Sequence, residues 1–256
     1  MILEYLGAFI LGLSVGSFLN VVIYRMPMEK SIIYPPSSCP NCGYRLKWYD
    51  NIPIISYLIL KGRCRNCGVE IKIIYPLVEL LTGILFVFAF AKWGLTIDFV
   101  FYAYFIASMI AIAFIDLKHF IIPDKINFAG ILMGFIFAYL RQDFTVLDAL
   151  IGGLVGSLFL LAIYFLYLKV RGIEGLGMGD VKMLAFVGTF TGYFGSLFVI
   201  FIGSLLGAII GILLLKIQGE KDLTKTVLPF GPFLAIASII YIFFGEYIRS
   251  WFFGGM

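Results

Sequence analysis

The uncharged run Met183-Leu-Ala-Phe-Val-Gly188-Thr-Phe-Thr-Gly192-Tyr-Phe-Gly195-Ser-Leu-Phe-Val-Ile-Phe-Ile-Gly203-Ser-Leu-Leu-Gly207-Ala-Ile-Ile-Gly211-Ile-Leu-Leu-Leu215 decides how this chain is folded. As one straight helix its 33 residues would reach about 50 Å, too long for one upright pass through a hydrocarbon core of about 30 Å. The run must fold back on itself. The glycine-punctuated stretch from Gly188 to Gly195 is the place for the turn, giving two short spans or one span and a re-entrant piece. Four other uncharged runs, Tyr5 to Tyr24, Phe99 to Ile115, Ala149 to Leu168 and Thr226 to Gly245, have 20, 17, 20 and 20 residues, each enough to cross as helix. Two segments are less clean: Ile73 to Ala91 carries Pro76 and Glu79, and Ile126 to Leu140 has only 15 residues. They would span with local thinning or with help from neighbours. The expectation is an all-α polytopic membrane protein of about eight transmembrane helices.

Composition agrees. Of 256 residues, 62% are hydrophobic and 13% charged, far from the roughly 25% charged content of a soluble domain. Charge then orients the helices. With the N-terminus outside, the inside segments Arg25 to Lys72, Lys118 to Lys125, Lys169 to Lys182 and Lys216 to Lys225 hold 16 basic residues, against Lys92, Arg141 and Arg249 outside. Cytoplasmic loops collect Lys and Arg in this way. A single span at Met183 to Leu215 would put the last basic cluster on the wrong side. The net charge of +4 therefore reports topology, and no nucleic-acid binding is expected from it. The first apolar run starts with the acidic Met-Ile-Leu-Glu4 and ends without an A-x-A site, so it is expected to stay as a helix rather than be cleaved as a signal.

One substantial polar segment remains. The chain divides into residues 1–25, the first span; 26–72, a cytoplasmic loop domain; and 73–256, the other spans. All four cysteines lie in the loop, as Cys39-Pro-Asn-Cys42 and Cys64-Arg-Asn-Cys67 with 21 residues between the pairs. Two C-x-x-C knuckles bring four thiolates to one point, as tetrahedral zinc requires. Gly43 and Gly68 follow the pairs and permit tight turns that aim backbone N–H groups at sulfur. The alternatives are redox chemistry and unliganded structural cysteines; a reducing compartment argues against disulfides. Four sulfurs leave no open coordination position, so the zinc would be a structural staple for a loop too small to bury a core.

Ionisable residues at a membrane are costly and each needs a reason. Asp98, Asp143, Asp148 and Glu246 fall at outer helix ends where water reaches them. The only histidine, His119, sits beside Lys118 at an inner interface. Asp116, in Phe-Ile-Asp116-Leu-Lys-His-Phe-Ile-Ile-Pro-Asp124, ends the third span. Asp180, in Gly175-Leu-Gly177-Met-Gly179-Asp180-Val-Lys, opens the sixth. Two intervening helices return the chain to the same side, so the two carboxylates can face each other. Such a pair hydrolyses amides: one carboxylate takes a proton from water while the other, protonated, polarises the carbonyl. With no side chains at Gly177 and Gly179, an extended substrate could approach Asp180 closely. The plainer readings are an N-cap for Asp180 and a solvated helix end for Asp116. A phosphate loop at Gly175 to Gly179 would need a preceding strand, and here a membrane helix precedes it. Helix direction suggests that Asp180, at an N-terminus, is the ionised member and that Asp116 carries the proton.

These residues resemble the bacterial type IV prepilin peptidases, also called leader peptidases and N-methyltransferases, a GxGD aspartic membrane protease family. Gly16-Ser-Phe-Leu-Asn20-Val-Val-Ile-Tyr-Arg25 is similar to the family's first-helix signature, and Asp50-Asn-Ile-Pro-Ile-Ile-Ser-Tyr57 to its loop signature. The cysteine pairs, Tyr75-Pro-Leu-Val-Glu79 and Gly177-Met-Gly179-Asp180 follow in the family's order. The resemblance implies that Asp116 and Asp180 cut the leader from prepilin or pseudopilin substrates at the cytoplasmic face of the bacterial inner membrane. It also implies methylation of the new N-terminus with S-adenosylmethionine as methyl donor, for which Asn20, Arg25 and Glu79 are candidate binding residues. Two rivals remain open, a peptidase without methyl transfer and a proton-coupled transporter or export subunit whose aspartates relay protons.

Overall fold

The computed structural model describes residues 2–172, 177–218 and 228–254. They form α1 (Ile2–Arg25), a short α2 (Ile55–Ile59), α3 (Ile74–Trp93), α4 (Ile97–His119), α5 (Asp124–Leu140), α6 (Val146–Arg171), α7 (Met178–Gln218) and α8 (Gly231–Phe253). The fold is all-helical; among the described residues the β-type contacts are two isolated bridges, Ser38 with Arg45 and Arg63 with Glu70. Six of the helices, α1, α3, α4, α6, α7 and α8, are long and apolar enough to cross a membrane. Large apolar side chains such as Phe201 and Leu166 stand exposed at 67% and 63%, an arrangement suited to lipid as the solvent. The chain is a multi-pass membrane protein.

It forms two compact units, Met1–Ala111 and Ile112–Met256. In the first, α1 and α3 make an antiparallel hairpin: Tyr5 meets Phe90 edge to face, Gly12 meets Gly83, Gly16 meets Glu79, and the Asn20 amide donates to the Tyr75 carbonyl at 3.0 Å. A Cβ at Gly12 or Gly16 would lie within 2.8 Å of α3 backbone. Glycine is thus what lets the two helices approach, the small-residue packing that membranes favour where burial from water gives no drive.

In the second unit α6, α7 and α8 pack in series. The stretch from Met183 to Leu215 does fold back. At Gly192 the backbone takes φ 69°, ψ −177° inside α7, a region open essentially to glycine alone. A Cβ at Gly156 on α6 would lie 3.1 Å from both the Leu184 carbonyl oxygen and the Ser196 Cβ, whereas twelve residues of straight helix would set those positions about 18 Å apart. Gly152 and Gly188 cross backbone to backbone, and the Ser196 hydroxyl donates to the Gly152 carbonyl at 2.9 Å. The second half of α7 then runs antiparallel to α8, with Gly195 by Tyr241, Gly203 by Leu234 and Gly211 by Leu228. The first half runs parallel to α5, with Gly179 by Ile122, Gly130 by Phe186 and Gly134 by Thr189. The end of α4 and the starts of α5, α7 and α8 are therefore gathered at one end of this unit.

Candidate active site and metal centre

Asp116 lies in the last turn of α4 and Asp180 in the first turn of α7. They are 5% and 7% exposed, so Asp116 is not the solvated helix end that the plainer reading allowed, and Asp180 lies within the first turn of α7 rather than at its N-cap. A buried carboxylate needs compensation. The Gly231 N–H, first residue of α8, donates to Asp116 Oδ2 at 2.9 Å. Asp180 Oδ1 has no hydrogen-bond partner among the described residues, and Ile122 packs both against Gly179, next to Asp180, and against Gly231, which contacts Asp116. The contact from Gly231 places a second helix N-terminus against Asp116. Helix direction alone therefore no longer separates the protonation of the two carboxylates.

The glycines around the pair have distinct tasks. A Cβ at Gly177 would sit 3.1 Å from Asp180 Oδ2, so glycine there keeps the approach to that oxygen open. At Gly179 a Cβ would lie 3.0 Å from the Ile122 Cβ, and at Gly231 another would lie 3.1 Å from the Ile122 Cδ1. Ile122 is wedged between the glycines beside each aspartate, a role that the sequence did not signal. Gly175 lies outside the described residues. Lys182 Nζ reaches both Asp124 carboxylate oxygens, at 2.8 and 2.7 Å. It thereby ties the start of α5, eight residues after Asp116, to the turn that carries Asp180. The buried Asn127 amide has no partner for either polar atom among the described residues. Asp124, Lys182 and Asn127 were missed because one charge or amide near a helix start looks like any other until its neighbours are known.

The four cysteines converge. Their sulfurs all lie within 4.8 Å of one another, with Cys39 to Cys67 at 3.8 Å and Cys42 to Cys64 at 4.0 Å. Sulfurs around a tetrahedral ion with metal–sulfur bonds of about 2.3 Å stand about 3.8 Å apart, so the set fits a metal. The two knuckles are built alike: Gly43 N–H bonds to Cys39 O and Gly68 N–H to Cys64 O, each at 3.0 Å, and both glycines are left-handed, at φ 70° and 71°. Each lends an amide to the other, Asn41 to Cys67 and Asn66 to Cys42, both at 3.6 Å. Backbone amides favour thiolate: Cys64 is lowered chiefly by the Cys67 amide, and Cys67 is lowered to about 6, chiefly by the Val69 amide and then by the Asn41 side chain. Asp50 links the knuckles, accepting from Arg65 Nε at 2.7 Å, the Lys47 amide at 3.2 Å and the Tyr44 hydroxyl at 3.3 Å.

Comparison with known proteins gives two adjoining family matches: the bacterial peptidase A24 N-terminal domain over residues 10–93, and the type IV leader peptidase family over residues 103–212. A Pseudomonas putida protein named prepilin leader peptidase/N-methyltransferase is 35% identical, over 95% of this chain and 91% of that one. The chain belongs to the type IV leader peptidase family. A Legionella pneumophila relative of the same name is 34% identical over 98% of this chain and 94% of its own length. A Myxococcus xanthus relative, also so named, is 44% identical over 83% of this chain, which spans 63% of that longer protein. No solved structure matches.

Within this leader-peptidase chain the N-terminal family match covers α1, the cysteine loop and α3, where the three methyl-donor candidates lie. Glu79, 9% exposed, accepts the Ile54 N–H at 2.8 Å, which is the reason for its place inside an apolar helix. Asn20 turns to α3 and is occupied by the Tyr75 carbonyl. Arg25, at the end of α1, donates to the Ser31 carbonyl at 3.1 Å and borders a cavity. The structure thus does not bring the three side chains to one point.

Proposed function

We propose that this leader peptidase cleaves the leader from prepilin or pseudopilin substrates at the cytoplasmic face of the inner membrane and then methylates the new N-terminal amine. The reading rests on Asp116 and Asp180, two buried carboxylates at one end of the second unit's helices, one with an oxygen unpaired among the described residues. One carboxylate accepts a proton from the attacking water; the other, protonated, donates to the scissile carbonyl. Collapse of the tetrahedral carbon breaks the C–N bond, and the leaving amine takes up a proton. Gly177 leaves the substrate backbone room to reach Asp180.

Cys39, Cys42, Cys64 and Cys67 hold zinc as a closed, structural site. S-adenosylmethionine would supply an electrophilic methyl group and leave as S-adenosylhomocysteine once its S–CH3 bond is broken, the new amine giving up one proton. The orientation is eight spans, with α5 and the two halves of α7 each counted as one, and the N-terminus outside. The test is mass analysis of a prepilin peptide incubated with the purified full-length protein, with and without S-adenosylmethionine. Cleavage followed by gain of one methyl group is expected. Cleavage surviving both Asp116→Ala and Asp180→Ala would sink the peptidase assignment, and cleavage with no methyl gain would leave a peptidase alone.

A further inference from the structure

In the first unit a cavity of about 440 Å³ opens beside α1, within the range of small-molecule sites. Ser14, Ser17, Phe18, Val21 and Arg25 of α1 line it, and their spacing places them on one helix face. The opposite face, with Gly12, Gly16 and Asn20, is taken by α3. The loop closes the other side with Ile33, Pro35, Asn51 and Pro53.

The backbone just past the lining residue Pro53 is strained. Ile54, next to Pro53, has φ 60° and ψ −49°, a conformation that β-branched residues avoid. Glu79 holds it there through the Ile54 N–H and also receives the Ser17 hydroxyl. A buried carboxylate is therefore committed to holding the backbone that follows Pro53, beside a cavity that Arg25 also lines. Strain of this kind persists where surrounding structure maintains it, and it clusters at ligand sites.

We infer that this cavity takes the methyl donor, an inference that rests on the bifunctional reading above. Arg25 pairs with the carboxylate of the donor's amino-acid end, in the bidentate manner guanidinium favours. Ser17 and Asn51 hydrogen-bond the sugar hydroxyls and base edge, and Phe18 with Ile33 and Pro35 covers the base. Glu79 is a positioning residue that acts through Ser17 and the bend at Ile54. Asn20 has no part in the site.

The experiment uses the full-length protein in lipid nanodiscs and titrates S-adenosylhomocysteine by calorimetry, a probe that binds without turnover. Wild type gives saturable binding. Arg25→Ala weakens it by roughly tenfold or more, and Ser14→Trp, which fills the cavity from α1, abolishes it. Glu79→Gln, whose amide oxygen still accepts the Ile54 N–H, retains more binding than Glu79→Ala. Thermal unfolding and metal content identify variants that fold, and Val21→Trp replaces Ser14→Trp if that variant does not. Folded Arg25→Ala and cavity-filling variants that bind as tightly as wild type overturn the assignment while leaving methyl transfer standing. A wild type that neither binds the probe nor methylates a leaderless pilin peptide removes the bifunctional reading and the cavity with it.

Discussion

An unpaired buried oxygen costs about 1–3 kcal/mol, and more when it belongs to a charged group. Among the described residues Asp180 Oδ1 is such an atom, and under the proposed mechanism water and a substrate carbonyl give it a use. Asp116→Asn and Asp180→Asn are each expected to lower leader cleavage by roughly 10²-fold or more, as loss of a general acid or base does. Methylation of a peptide supplied without its leader should continue in both, as mass spectrometry of the two reactions would show. Gly231→Ala would place a Cβ 2.7 Å from Asp116 Oδ2, and the α8 backbone leaves it little room to yield. Its expected effect is a drop in kcat with unchanged metal content, read from steady-state peptide cleavage.

Elements show where glycine is decisive. Only the conformation at Gly192 turns the apolar run of α7 into a hairpin. Gly192→Ala should therefore cost about 1–3 kcal/mol of stability, measured as a lowered unfolding midpoint in detergent. In the cysteine loop, burial pushes the Asp50 carboxyl up, but the Arg65 guanidinium, the Lys47 amide and the Tyr44 hydroxyl outweigh it and hold it below the usual carboxylate range. A carboxyl depressed in the folded state stabilises above its unfolded value of about 4 and loses that contribution as pH falls through the lower folded value. Asp50→Asn is thus expected to lower the thermal midpoint at neutral pH, with the gap from wild type closing in acid. Cys39→Ser should reduce bound zinc in elemental analysis and with it the protection of the loop from proteolysis, since such small domains depend on their metal.

At the scale of the whole molecule, the distribution of basic residues sets the expected orientation. Cysteines introduced at Leu95 and Gln142 in a chain with its native cysteines replaced should react with a membrane-impermeant thiol reagent in cells with a permeabilised outer membrane. Those at Glu29 and Lys216 should react only after the inner membrane is opened. Labelling of Lys216→Cys from outside would contradict the return of α7.

The sequence by itself determined the membrane as solvent, the need for Met183 to Leu215 to turn, the convergence of two C-x-x-C pairs, and Asp116 and Asp180 as the pair to watch. Each is a matter of local composition, length or short-range spacing, and these hold whatever the chain packs against. The tertiary structure decided that the turn centres on Gly192, that Gly231 supplies the amide to Asp116, and that Ile122 fills the space beside Gly179. It also turned Asn20 away from Arg25 and gave Glu79 to the Ile54 backbone. Those partners lie from 25 to 115 positions apart in the chain. Contacts at such separation depend on which helix faces meet, and helices apolar on nearly every side carry too little pattern for the sequence alone to choose among them.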